Sequence, residues 1–232
     1  MAKKKSSDLA VYYGGYDFGT ALTRVELTLG INALDPTSLS DAGERATGGL
    51  RADAVALTGL FDDINSADAA AAALIPTGTA VLSVLFGQAT GDIAYSGTAF
   101  FLAAKNPASI GELVRQEVEI KLDQSLDRGM HYAKLAKAGT GAANSGTLDN
   151  TALTTAGGVG YIHVLSITSG TVGAALQDSA DGSTWTDITS ARITGSAGTS
   201  LRAAFTGTVK RYTKFTMEGT GIGTALGMLS RG

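Results

Sequence analysis

The sequence predicts a mainly β protein in two parts: an N-terminal β-sandwich or barrel with one short helix and a long loop, then a small C-terminal β-sandwich. Three observations lead there. Apolar and β-branched residues alternate with polar ones in short runs, as in half-buried strands. Glycine-rich turns separate such runs at sandwich-like spacing in the last third of the chain. A stretch of small, nearly uncharged residues at 141–158 reads as a linker, so the expected parts are 1–140 and 159–232 of the 232 residues. The C-terminal part, about 70 residues, is near the lower size at which a domain folds unaided.

Taken in order, the basic and polar start (Lys3, Lys4, Lys5, Ser6, Ser7, Asp8) lacks the apolar stretch of a signal peptide and reads as a flexible arm on a cytoplasmic product. Leu22, Val25, Leu27 and Leu29 mark a strand ending at Gly30. Residues 31–51 have no sustained period, and a loop of about 20 residues inside a compact domain is more often functional than idle. A strand resumes at Ala54 and closes at Asp62 and Asp63. A short alanine-rich helix follows, with Ser66 as N-cap, Asp68 in the first turn and Pro76 beyond the end. Two β segments, 81–86 and 93–102, flank a turn at Gly91 and Asp92. Residues 113–126 fit either period. Val118, Ile120 and Leu122 alternate with charged residues, whereas Val114, Val118, Leu122 and Leu126 fit a helix; the β-branched content favours the strand, with a turn at Asp127, Arg128 and Gly129. Further strands are expected at 161–167, 174–178, 185–188, 201–205 and 211–217.

Composition narrows the function. Charged residues are 17% of the chain, against roughly 25% in a typical soluble domain, and the 31 glycines suit tight turns and close subunit contacts. Residues 1–150 hold 12 Lys and Arg against 17 Asp and Glu, and residues 151–232 hold 6 against 4; neither half has the basic stripe of a protein that grips nucleic acid. There is no cysteine, which excludes disulfides, thiolate metal sites and thiol nucleophiles. No apolar run reaches the ~18 residues of a membrane span.

Chemistry finds no foothold, and the expectation is of no catalytic, metal or cofactor residues. His131 and His163 fall in strand patterns in different parts, where structural roles outweigh metal or acid–base roles. Gly219, Gly221 and Gly223 imitate a dinucleotide fingerprint, but the third glycine comes one residue early and no following helix is evident. Asp178, Asp181 and Asp187 around Gly182 do not match a calcium loop, because Gln177 and Ile188 would occupy its first and last positions. A hairpin turn is the better reading.

The segment 176–188, with Asp181, Gly182 and Trp185, followed by Gly207, Arg211 and Tyr212, resembles a segment common in small β-sandwich domains of tailed-phage structural proteins. Its physical sense is a hairpin turned at Asp181 and Gly182, Trp185 in the core and the Arg–Tyr strand paired across the sandwich. The N-terminal order of strand, long loop, strand, short helix and consecutive long strands around Gly91 and Asp92 is similar to that of siphophage major tail proteins, the tail-tube proteins. The resemblance implies a tail-tube-type N-terminal domain and an immunoglobulin-like C-terminal domain. It implies homohexameric rings stacked into a tube through which DNA passes without specific binding, with tape measure and tail terminator proteins as partners. The product would be made in the host cytoplasm and reside in the virion tail. Residues 31–51 would reach the neighbouring ring through Glu44, Arg45 and Arg51, and Glu117, Glu119 and Asp123 would line the lumen. Weak host-surface contact through the C-terminal domain is a further implication. Two other classes stay open: a head decoration or fibre-associated virion protein, and a carbohydrate-binding module or hydrolase built on a β-sandwich.

Overall fold

Alternating side chains become alternating burial. The computed structural model describes residues 8–19, 22–34, 47–60, 73, 78–107, 109–110 and 112–232, and the fold is mainly β, as expected. The N-terminal strands are β1 (Leu9–Tyr13), β2 (Tyr16–Asp17), β3 (Leu22–Thr28), β4 (Ile31–Leu34), β5 (Thr47–Arg51), β6 (Ala54–Leu60), β7 (Thr79–Phe86), β8 (Ile93–Lys105), β9 (Arg115–Leu122) and β10 (Asp127–His131). They are followed by β11 (Leu135–Lys137), β12 (Ala143–Asn144), β13 (Leu148–Asp149), β14 (Gly158–Ser169) and β15 (Val172–Ser179). The last four are β16 (Thr186–Gly195), β17 (Thr199–Phe205), β18 (Tyr212–Gly219) and β19 (Ile222–Arg231). β9 shows the rule most clearly. Gln116, Val118 and Ile120 are buried while Glu117, Glu119 and Lys121 face solvent, which settles the ambiguous 113–126 segment as a strand.

β8, thirteen residues long, organises the N-terminal part. One edge pairs with β7; the other takes β10 along its first portion and β9 along its second. The β9–β6–β3 leaf folds over the β8–β7–β1 leaf around Val11, Tyr13, Leu57, Val84, Val118 and Ile120. Burying each of these side chains contributes about 1.5–3 kcal/mol relative to exposure. In the other direction β10 leads to β19, β14 and β17. This arm curls until Tyr161, Leu226 and Met228 pack on Ala10, Tyr12 and Val81. Gly15 permits the curl: its φ is +85°, and a Cβ there would lie 2.6 Å from the Thr199 nitrogen.

A second sheet of β15, β16, β18, β12 and β13 covers β14 and β19. Leu176, Phe215 and Met217 meet Ile162, Ala225 and Leu229 in that third core. The C-terminal part is therefore two-layered, and one of its layers is hydrogen-bonded to the N-terminal part through β10 and β19. Residues 141–158, expected as a linker, lie along β18. β12 and β13 pair with it, Asp149 holds Arg211 at 2.6 and 2.5 Å, and Asn150 donates to the Arg211 carbonyl at 2.9 Å. The hydrogen bond from Arg211 holds the Asp149 carboxyl down at about 2.

Several expectations are corrected. β1, β2 and β19 had not been expected as strands. Asp127, Arg128 and Gly129 open β10 rather than form a turn; the glycine is needed because a Cβ would lie 2.4 Å from the Leu229 carbonyl oxygen. The ends of the 31–51 loop are strands, β4 paired with β5 as a separate ribbon. Gly219 to Gly223 turn the chain from β18 into β19, with φ of +103° at Gly219. The hairpin at Asp181 and Gly182 is present, the Asp181 carboxylate accepting from the Ser183 and Thr184 nitrogens at 2.9 and 2.8 Å. Trp185, however, is half-buried at the surface with the Lys214 ammonium 4.5 Å from its ring, and Tyr212 pairs with Ser179 within one sheet rather than across the sandwich. The helix expected from Ser66 lies outside the described residues apart from Ala73, which is helical.

Candidate functional site

Glu117, Glu119 and Asp123 are all exposed. Glu117 and Glu119 project from β9 onto the outer face of the β3–β6–β9–β8 leaf, and strand register decides what stands beside them. One row runs Arg24, Thr58, Glu117, Lys105 and the next runs Glu26, Ala56, Glu119. Arg24 pairs with Glu26 at 2.7 Å and Lys105 with Glu119 at 3.8 Å; Lys121 is exposed on the same face. Asp123 follows the strand and accepts from the Thr98 hydroxyl at 3.4 Å. The face is thus charged in both signs. Exposed pairs of this kind contribute only about 0–1 kcal/mol, so they govern solvation more than stability. At the end of the leaf, β3 pairs with β6 alone among the described strands.

Of the residues expected to reach a neighbour, Glu44 and Arg45 lie outside the described residues. Arg51 sits at the root of the β4–β5 ribbon, its guanidinium 2.7 Å from Asp53 and 3.1 Å from the Leu126 carbonyl. The Asp53 side chain is 1% exposed. It accepts from the Leu126 nitrogen at 2.9 Å and the Gly30 nitrogen at 3.3 Å. One carboxylate thereby ties both ends of the ribbon to the start of β10. Sequence reasoning missed Asp53, for which the only signal is a charged pair two residues apart before a strand. Asp53→Ala is expected to destabilise the protein by about 1–3 kcal/mol, the cost of leaving buried amides without an acceptor, and to speed protease cleavage within 31–51. Urea unfolding and limited proteolysis read the two effects; unchanged cleavage would show that the ribbon is held by other contacts.

The two histidines flank β19, His131 opposite Met228 and His163 opposite Leu226. His163 is fully buried, its Nδ1 accepting from the Gly15 nitrogen at 3.4 Å and its Nε2 2.8 Å from the Ser83 hydroxyl. Burial pushes its pKa down to about 3. Among the described residues no group of three His, Cys, Asp or Glu side chains is placed to hold a metal ion. The surface aromatic rings of the second sheet each have a cation over one face, the Lys214 ammonium on Trp185 and the Arg211 guanidinium on Tyr212 at 4.8 Å.

The chain is thus an antiparallel β protein with a two-signed exposed leaf, a strand edge unpaired among the described residues and a rooted ribbon. No known protein family and no curated protein matches its sequence. Among solved structures it is similar to a chain of the virion of a native gene transfer agent particle, with 14% identity and a TM-score of 0.44, over 54% of this chain and 98% of that one.

Proposed function

We propose that the chain is a structural component of a virion, without turnover, and within that class the tube subunit of a long, non-contractile tail. Six copies join their sheets into a ring, rings stack into a hollow tube, and DNA passes through without specific binding. The observation that carries this reading is the β3–β6–β9–β8 leaf: one face is buried and apolar, the other is solvated and charged, and β3 offers a seven-residue edge that, among the described residues, pairs on one side only. An open edge of that length invites pairing with another chain, and a cyclic arrangement of copies removes it. The charged face then lines the lumen. Glu117, Glu119 and Asp123 repel phosphate and Lys105 and Arg24 each stand beside a carboxylate, while Arg115 and Lys121 on the same face add positive charge, so the wall is close to neutral and holds DNA only weakly.

In this reading residues 1–140 build the wall and 159–232 form an immunoglobulin-like decoration outside it. The ribbon reaches the adjoining ring, with Glu44 and Arg45 as contacts and Arg51 fixing its base. Tape measure and tail terminator proteins are the expected partners. Host-surface contact by the outer part would gain from many copies, and assembled tubes that fail to bind host cells would remove that role.

The test is negative-stain electron microscopy of the full chain across a concentration series. Tubes or stacked rings with a central hole are expected, and deletion of residues 36–48 is expected to leave rings that do not stack. Monomers or small compact oligomers at every concentration would sink the tube reading in favour of a head decoration or fibre-associated protein.

A further inference from the structure

The core between the two N-terminal leaves is open at one end. Leu9, Phe86 and Tyr95 from one leaf and Val25, Leu27 and Leu29 from the other line a cavity of about 460 Å³ there, and Leu29 is 45% exposed. The opposite end of β8 carries the reverse feature. The turn between β8 and β9, closed by hydrogen bonds from the Glu112 nitrogen to the Ser109 carbonyl and from the Arg115 nitrogen to the Pro107 carbonyl, holds Ile110 fully exposed and Leu113 75% exposed, with Val114 beside them. Twelve residue steps of β8 separate mouth from tip, roughly 40 Å at ~3.3 Å per residue. A single copy therefore cannot seat its own tip.

Charge matches as well. Arg128 stands directly across from Tyr95 in the β8–β10 register, which sets it beside the mouth and over the adjoining hollow lined by Met130 and Leu229. Glu112 lies between Ile110 and Leu113 on the tip. Both are exposed, and neither has an ion-pair partner within the chain among the described residues. A knob at one end and a matching pocket at the other make a heterologous contact, the kind that propagates copies head to tail instead of stopping at a pair.

We propose that the Ile110–Leu113 tip of one copy seats in the open mouth of a second copy, with Glu112 meeting Arg128 at the rim. This deepens the self-assembly reading and rests on it for its biological setting. It assigns a contact surface to the mouth and tip that is separate from the β3 edge and the ribbon.

The chain has no cysteine, so a double variant, Leu29→Cys with Leu113→Cys, carries two unique thiols. Treated with a short bismaleimide after concentration, it is expected to give a ladder of dimers, trimers and larger species on a denaturing gel, whereas either single variant stays monomeric, because each contact pairs position 29 of one copy with position 113 of the next. Leu113→Asp is expected to raise the concentration needed for assembly by roughly tenfold or more with the circular dichroism spectrum unchanged. Glu112→Arg is expected to weaken assembly and Arg128→Glu to restore it in the double variant, a rescue that general loss of folding would not produce. Tubes without a ladder would overturn the proposal and leave the tube reading standing. A ladder without tubes would support the contact and count against the tube.

Discussion

Ending the chain after Gly221 is expected to leave no cooperatively folded protein. The lost segment is β19, which lies between β14 on one side and β10 and β11 on the other. Its two faces feed two different cores: Ala225 and Leu229 pack with Phe215 and Leu176, while Leu226 and Met228 pack with Tyr12 and Val81. Burial of large apolar side chains contributes about 1.5–3 kcal/mol each, so the three large ones alone approach the roughly 5–15 kcal/mol of net stability of a whole domain. The backbone loss compounds this, because β10 and β14 would each expose a buried edge to water or to other chains. Circular dichroism during urea titration checks the outcome. A sharp transition retained by the shortened chain would mean that the N-terminal leaves fold without the strand that joins them to the rest.

The same strand shows where sequence reading works and where it fails. β3, β6 and β9 were legible because one face of each meets the core and the other meets water, so polarity alternates along the chain. β1 and β19 have apolar neighbours on both faces. Val11 and Tyr13 enter one core while Ala10 and Tyr12 enter another, so the period of two disappears just where the strand is most buried. In β19 the glycines at 219, 221 and 223 hid it further, since they look like a phosphate loop and in fact make a hairpin turn and a close strand crossing, a Cβ on Gly223 lying 2.5 Å from the Ser166 carbonyl oxygen.

The candidate site divides the same way. Exposure of Glu117 and Glu119 followed from alternation alone, but their basic neighbours Arg24 and Lys105 come from strands far away in sequence and are set by register. The buried node at Asp53 and the open mouth between the leaves are likewise products of tertiary folding. Trp185 was placed in the core because tryptophan usually goes there. Here a lysine from β18, on the far side of β15, lies over its ring and makes a surface position tolerable.

Acid is expected to weaken the junction of the two parts through one residue. His163 on β14 faces Ser83 on β7, which stands 2.5 Å from Ser96 on β8, whose hydroxyl donates to the Met228 sulfur at 2.7 Å. The Gly15 amide points at Nδ1, so Nδ1 is the acceptor and Nε2 carries the hydrogen in the neutral ring. Protonation would set one N–H against another in a fully buried site. Desolvation accordingly depresses the folded-state pKa to about 3, against about 6.5 for an unfolded histidine. The unfolded chain therefore binds the proton first. Stability from this group is complete above about pH 6.5 and falls as the pH drops toward the folded value, with a slope approaching ~1.4 kcal/mol per pH unit. His163→Gln, which keeps an acceptor for Gly15 and a donor for Ser83, removes the titration. Urea unfolding of both proteins at pH 7.5, 6 and 5 is expected to show the wild type losing about 1 kcal/mol per unit more than the variant below pH 6. Parallel curves would mean that the ring is hydrated or reoriented before unfolding, and that the junction of β7, β8 and β14 opens ahead of the cores on either side.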